Sequence, residues 1–350
     1  MAETIIPPSA FETRTLMNAV EKRPYVSIPD TISPEAQAFL RTVPDPHLIP
    51  PFPDPADIAG WQKLQAWAEN DGKTKSEPLL KRYAHTATAA QLGGVPVLDV
   101  RPKDWKENRK VLVYTHGGAH VIYSAVSTLG RAVIAACETG LRIISVDYTL
   151  APLAKYNQMS DQVVAAIQEL LKQGQRLEDT AIYGDSSGGG LAAAVVMKMR
   201  DRGLGMPRAA VLVSPWLDVT PSGDTETTLH DADPNQLYER QGKAAAGAFA
   251  DPKEQKHPYA SPVYGDFSKG FPPTLIQGGL KETLLSGFVR LYQALDVAGI
   301  TVKLDLYEGM IHNFQDRMPD APEAIVARSK MRDFLSHHLS LSAESRPTKS

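Results

Sequence analysis

A serine lies between two glycines at residues 184–188, which read Gly, Asp, Ser, Ser, Gly. An apolar, β-branched run precedes this segment and a helical pattern of small residues follows it, so the turn joins a strand to a helix. Such a turn strains the serine backbone and holds its hydroxyl at a helix N-terminus, which favours developing negative charge. A glycine-rich phosphate loop would instead end in Lys-Ser or Lys-Thr. The spacing predicts that Ser186 is a nucleophile.

A second glycine turn follows the apolar run Val111 to Tyr114. Attack on an acyl group creates an oxyanion, and backbone amides can reach it only where side chains do not obstruct the approach. We therefore predict that the amides of Gly117 and Gly118, together with that of Ser187, form an oxyanion hole. The neighbouring His116 is predicted to serve as a structural hydrogen-bonding residue, because the turn must aim its amides at the substrate.

A serine hydroxyl needs a neighbouring base near neutral pH, and histidine has a suitable pKa of about 6.5. In proteins with this serine turn, the chain order is nucleophile, acid, histidine. Among the nine histidines, His312 lies in the loop after the last predicted strand, Thr301 to Leu306. His312 is therefore the predicted base.

The acid is expected in the loop after the preceding strand, Thr274 to Gln277, and Glu282 lies there. Its role would be to accept from imidazole Nδ1 and to hold the useful tautomer. Asp305, Asp266 and Glu308 remain alternatives.

These residues need a scaffold that brings distant loops together, and from Leu79 onward short β-branched runs alternate with helical patterns. This order is typical of an α/β fold with a mostly parallel central sheet flanked by helices. The predicted strands are Val111 to Tyr114, Arg142 to Val146, Thr180 to Tyr183, Ala209 to Val213, Thr274 to Gln277 and Thr301 to Leu306, preceded by Leu79 to Ala84 and Val95 to Val100. The predicted helices are Pro34 to Arg41, Ala56 to Glu69, Ser127 to Glu138, Gln158 to Lys172, Ser187 to Arg202, Leu284 to Ala298 and Ala321 to His337.

Two regions depart from this alternation. Six prolines between Val43 and Pro55 forbid regular strand pairing in the N-terminal part. Residues 216–271 separate two strands by more than a crossover requires. We predict an N-terminal cap segment (1–75), a catalytic core (76–215 and 272–340), an insertion contributing to a helical cap (216–271) and a flexible tail (341–350). A partly ordered arm is the alternative for the N-terminal segment.

Composition limits the partners. The chain has 37 basic and 40 acidic residues and no basic block, so it lacks the positive field that attracts nucleic acids. A single cysteine, Cys137, excludes a disulfide framework and a cysteine metal cluster. No apolar run is long enough to cross a bilayer. We expect a cytoplasmic protein without metal, cofactor or integral membrane association, and a homodimer is compatible with the sequence.

Together the motifs resemble the hormone-sensitive lipase-like family of α/β hydrolases, which includes many microbial carboxylesterases. The resemblance spans roughly residues 79–339 and is carried by His116 to Gly118, Gly184 to Gly189, Gly279 to Leu284 and Gly309 to His312. It implies hydrolysis of small-molecule carboxylic esters, generally of short to medium acyl chains, without a cofactor and under a helical cap.

The chain departs from the family pattern at Ala119, where a third glycine is usual, and at Leu153, where a glutamate is usual. We expect the substrate pocket to involve residues beside the two glycine turns and at the start of the insertion: Ala119, His120, Tyr123, Asp185 and Trp216. An amidase or a lactonase with the same triad, or a non-catalytic ligand-binding homologue, remains an alternative function.

Overall fold

The structure is a computed structural model that describes residues 26–234 and 238–341. The first 25 residues of the predicted N-terminal segment, and residues 342–350 of the predicted tail, lie outside the described residues.

Eight strands form one sheet in the order β1-β2-β4-β3-β5-β6-β7-β8. Strands β1 and β2 pair antiparallel, as do β2 and β4, and all other neighbours are parallel. The parallel strands β3 to β6 consist almost wholly of buried residues, most of them apolar, as expected when helices cover both faces. The bounds are β1 His85–Leu92, β2 Val95–Pro102, β3 Val111–Thr115, β4 Arg142–Val146, β5 Thr180–Asp185, β6 Ala209–Val213, β7 Thr274–Gly279 and β8 Val302–Tyr307.

Helices cover both faces of the sheet. Helices α3 and α10 pack on one face, and α4, α5 and α8 pack on the other. This is the predicted α/β-hydrolase architecture. The helix bounds are α1 Pro34–Leu40, α2 Ile58–Arg82, α3 Leu129–Thr139, α4 Tyr156–Lys172, α5 Ser187–Asp201, α6 Thr225–Thr228, α7 Lys243–Phe249, α8 Leu285–Val297, α9 Phe314–Arg317 and α10 Pro322–His338.

One predicted strand is wrong. Residues Leu79 to Arg82 continue helix α2, although Pro78 lies inside that helix. The helix buries Trp61, Ala68, Gly72 and Ser76 along one face, and the Ser76 hydroxyl donates to the carbonyl before α3 at 2.8 Å. Packing along the whole length of α2 therefore outweighs the local cost of the proline.

The N-terminal segment contacts two other parts of the chain. Val26, Ile32 and Leu40 lie in a buried apolar cluster with Met310 and Ile311, which directly precede His312. Farther along, residues 49–52 hydrogen-bond to the insertion, since the amide of Phe52 donates to the carbonyl of Arg240 at 2.9 Å. The segment therefore connects the histidine loop to the insertion. Within the described ranges, no helix has the length and apolar character needed to span a membrane.

Candidate active site

Ser186 stands at the turn between β5 and α5, with a φ of 54° and a ψ of −129°. The positions on either side of the turn must be glycines, because a side chain at either one would collide with neighbouring backbone atoms. A Cβ on Gly184 would lie 2.3 Å from the Gly188 carbonyl oxygen, and one on Gly188 would lie 2.1 Å from that of Thr115. The strained serine is held by its amide, which donates to the Val213 carbonyl at 2.8 Å. The turn therefore fixes the hydroxyl at the carboxyl end of the sheet.

His312 joins this serine to the acid loop. Its Nε2 lies 2.9 Å from the Ser186 hydroxyl, and its Nδ1 lies 2.7 Å from Oε2 of Glu282. The loops after β5, β7 and β8 thus bring together the three side chains that the sequence singled out. With the Nδ1 proton on the Glu282 side, Nε2 can accept the serine proton. Of the alternative acids, Asp305 pairs with Lys330, and Asp266 accepts from the Ser268 hydroxyl at 2.6 Å.

The carboxylate of Glu282 is fully buried and has three hydrogen-bond partners, His312 among them. Its second oxygen accepts from the Ser214 hydroxyl and from the Gly279 amide, both at 2.7 Å. Ser214 in turn accepts from the Asn313 amide at 3.0 Å, so it links the acid to the histidine loop. Neither Ser214 nor Asn313 belongs to a sequence pattern that predicts a role for it, and only the position of Ser214 after a strand could have indicated one.

Asp185, the residue before the nucleophile, accepts four hydrogen bonds. Oδ1 takes the Tyr114 hydroxyl at 2.5 Å and the Gly117 amide at 3.1 Å. Oδ2 takes the Arg131 guanidinium at 2.5 Å and the Asn313 side-chain amide at 2.9 Å. The side chain is buried and occupied, so the structure does not support its predicted place in the pocket lining. It ties the serine turn to the glycine turn and to the histidine loop.

The glycine turn also differs from prediction. The Gly117 amide points at Asp185, so the structure does not support it as an oxyanion donor. Gly118 and Ala119 follow with positive φ angles of 127° and 53°, and no hydrogen bond between described residues uses their amides. The amide of Ser187, first in α5, has no acceptor within its own helix. These three amides are the available donors.

The other predicted pocket residues divide into two kinds. His120 and Trp216 are buried, and the His120 ring stacks on Phe249 with centroids 3.7 Å apart. Burial lowers the pKa of His120 to about 3, so the ring is neutral. The structure does not support His120 as a lining residue, and Trp216 lines a small cavity between the insertion and the acid loop. Ala119 and Tyr123 remain partly exposed beside the turn.

Comparison with known proteins gives consistent matches. A family profile described as alpha/beta hydrolase fold matches residues 112–316. An acetyl-hydrolase of Streptomyces hygroscopicus is 34% identical over 231 residues, covering 64% of this chain and 74% of that protein. The crystal structure of esterase E25 has a TM-score of 0.82 at 26% identity, covering 96% of this chain and 99% of the other. An esterase from the bacterial hormone-sensitive lipase family has a TM-score of 0.74 at 28% identity, covering 88% and 99%.

Proposed function

The chain belongs to the α/β-hydrolase family, among the hormone-sensitive lipase-like esterases, and from this premise we propose that it cleaves carboxylic esters through an acyl-enzyme on Ser186. The observation that carries the proposal is the unbroken series of contacts from the Ser186 hydroxyl through His312 to Glu282, at 2.9 and 2.7 Å. A series of this kind converts a weak hydroxyl nucleophile into a reactive one.

In the first half of the reaction, His312 takes the Ser186 proton as the hydroxyl oxygen attacks the ester carbonyl carbon. Glu282 stabilises the imidazolium without taking the proton. Collapse of the tetrahedral intermediate breaks the bond to the alcohol, which leaves with the proton held by His312. Water then repeats the sequence on the acyl-enzyme and regenerates Ser186.

We assign the oxyanion hole to the amides of Gly118, Ala119 and Ser187. Each donor in such a site is typically worth about 3 kcal/mol of the activation barrier. Ala119 retains the amide of the glycine that is usual there and adds a methyl group beside the reacting carbonyl. This methyl favours a small group on that side, in keeping with esters of short to medium acyl chains.

The N-terminal segment and the insertion are proposed to form the cap over this site. Support comes from their mutual contacts at residues 49–52 and from the packing of the N-terminal segment on the histidine loop. A small-molecule ester, a cytoplasmic location and a homodimer belong to the same proposal. The near balance of charge over the whole chain supports a small molecule rather than a nucleic acid as partner.

The test is hydrolysis of a short-chain nitrophenyl ester by Ser186→Ala and His312→Ala. Removing either residue of such a triad lowers kcat by about 10⁴-fold to 10⁶-fold. Ser329→Ala is the matched control, because this serine lies on α10 away from the triad and its hydroxyl bonds only to the Val326 carbonyl of its own helix among the described residues. Circular dichroism and melting temperature check that each variant is folded. Folded variants with unchanged turnover would contradict the proposal.

Two further measurements separate the alternative functions. An organophosphate should label the wild type at Ser186 and should leave Ser186→Ala unlabelled. If the chain were a non-catalytic ligand-binding protein, the wild type would also remain unlabelled. A panel of esters, amides and lactones of graded size then identifies the preferred leaving group. Faster turnover of amides or lactones than of matched esters would replace the ester assignment while leaving the triad assignment intact.

A further inference from the structure

Three potential metal ligands meet where the N-terminal segment contacts the insertion. His47 lies in the proline-rich part of the segment, and His230 and Asp231 lie in the insertion after α6. One ligand atom from each residue lies within 4.8 Å of the other two. The rings of His47 and His230 are 5.7 Å apart, centroid to centroid, and tilted by 56°. We refer to this group, His47, His230 and Asp231, as the seam cluster.

We propose that the seam cluster binds a divalent transition-metal ion of the Zn²⁺ type and thereby clamps the N-terminal segment to the insertion. Two imidazoles and one carboxylate are a ligand set that zinc accepts, with water in the fourth position. Zinc–nitrogen bonds of about 2.1 Å at tetrahedral angles place two ligating rings roughly 5 to 6 Å apart, centroid to centroid. The observed ring separation falls in that interval.

A carboxylate behind His47 prepares the ring for a metal. Oδ1 of Asp45 lies 2.7 Å from His47 Nδ1 and also accepts the His47 backbone amide at 2.8 Å. With the proton held at Nδ1, the ring is in the tautomer that presents the Nε2 lone pair to a metal. Carboxylate-oriented histidines are common in metal sites because the partner fixes the ring and raises its basicity.

The chain already holds the two sides of the seam cluster in register. The Arg240 guanidinium donates to the Ile49 carbonyl at 2.8 Å, and the Gln241 side chain donates to the Pro50 carbonyl at 3.3 Å. An ion bound to the seam cluster therefore needs no large rearrangement of either piece. It would add a link beside the partly exposed hydrogen bonds that join the described parts of the two segments. This inference does not depend on the proposed ester hydrolysis.

The binding test uses the full chain after treatment with a chelator and its removal. Titration with Zn²⁺ by calorimetry should show one tight site per chain, and Co²⁺ should give the intense visible bands of a tetrahedral complex. We expect His47→Ala and His230→Ala each to weaken binding at least about 100-fold. Asp45→Asn should weaken it about 10-fold to 100-fold, since it removes only the orienting carboxylate.

Matched controls separate the seam cluster from other histidines. His85→Ala, at the start of β1, should leave the affinity unchanged. The double variant His337→Ala, His338→Ala removes an adjacent pair on α10 and should also leave it unchanged. The side chains of His47 and His230 are 43% and 42% exposed, so their replacement is not expected to disturb the core. Melting without metal verifies that point.

A second measurement tests the clamp. Zn²⁺ should raise the melting temperature of the wild type and slow proteolysis between residues 43 and 55, and it should do neither in His230→Ala. Unchanged Zn²⁺ affinity in both single variants, or no tight site in the wild type, would overturn the metal site. Binding that requires these residues yet alters neither melting nor proteolysis would overturn the clamp.

Discussion

Two buried carboxylates of the catalytic core differ in their surroundings from Glu226, a half-buried carboxylate of the insertion. In the core, Asp185 accepts from four donors and Glu282 accepts from two neutral donors and from His312. In the insertion, Glu226 lines a small cavity with Asp218 and has no hydrogen bond from its side chain to any described residue. Arg290, also at that cavity, directs its charge to Asp218 at 2.6 Å.

The surroundings of these carboxylates determine how each negative charge affects the folded state. A carboxylate surrounded by donors from several loops fixes the positions of those loops, because displacing any of them leaves a buried charge without a partner. A half-buried carboxylate that lies near other carboxylates raises the free energy of the folded state unless it takes up a proton. The core therefore holds the reacting groups rigidly, whereas the insertion carries a charge whose cost depends on pH.

The largest effect should come from Glu282→Gln. The substitution keeps the size of the side chain and removes the negative charge that holds the His312 proton at Nδ1, and a comparable change in other triads lowers kcat by about 10⁴-fold. Ser214→Ala is the control, because it removes one hydrogen bond to Glu282 and leaves the charge in place. We expect about a tenfold loss there. A Gln variant within tenfold of the wild type would exclude Glu282 as the acid.

A smaller loss is expected from Asp185→Asn. The substitution leaves the largely buried guanidinium of Arg131 with Asp316, 2.6 Å from its Nε, as its remaining ion-pair partner among the described residues. Breaking one side of a buried pair costs up to about 3 kcal/mol of unfolding free energy. We also expect kcat to fall by about tenfold to a hundredfold, as the glycine turn loosens.

Urea unfolding and turnover measure these two effects of Asp185→Asn. The control is Tyr114→Phe, which removes one neutral hydrogen bond from the same carboxylate and should cost about 1 kcal/mol. Equal losses of stability in the two variants would mean that the charge of Asp185 does not hold the loops.

Much of the core could be predicted because its signals are local. Short apolar or β-branched runs predict strands β3 to β8. The glycines flanking Ser186 predict the turn, and the structure leaves no room there for a Cβ. The direction of a donor or a carboxylate is not local. The Gly117 amide could have faced the substrate, and only the folded position of Asp185 decides otherwise. The prediction of Asp185 as a pocket residue failed for the same reason. Its four hydrogen-bond partners come from four separate elements, and no local pattern shows that they meet at its carboxylate.

The regions around the core were harder to predict from sequence. Helix α2 continues past Pro78 because its buried face packs against the start of α3, and that contact joins residues far apart in the chain. His47 and His230 carry no metal-binding spacing in the sequence, since they come together only through docking of the N-terminal segment on the insertion. In α2, tertiary packing overrides a local signal to end the helix, and in the seam cluster, tertiary contacts join residues for which no local signal exists.

The smallest effect tests the insertion directly. Burial, with Asp233 and Asp218 nearby, raises the pKa of Glu226 from 4.5 to about 8. Below pH 4.5 the carboxyl is protonated in both the folded and the unfolded chain, so Glu226→Gln should match the wild type. Between pH 4.5 and 8 the unfolded chain releases this proton while the folded chain keeps it, and the wild type loses stability as pH rises.

Above pH 8 the folded wild type must carry the charge, and Glu226→Gln should be the more stable protein. Solvent screening of a partly exposed group limits this advantage to about 1 to 2 kcal/mol. Denaturant unfolding at pH 5, 7 and 9 measures it, with Glu239→Gln, whose side chain is 71% exposed, as the matched control. An advantage that is equal at pH 5 and pH 9 would show that Glu226 ionises as freely as a surface carboxylate, and the contrast with Asp185 and Glu282 would then rest on geometry alone.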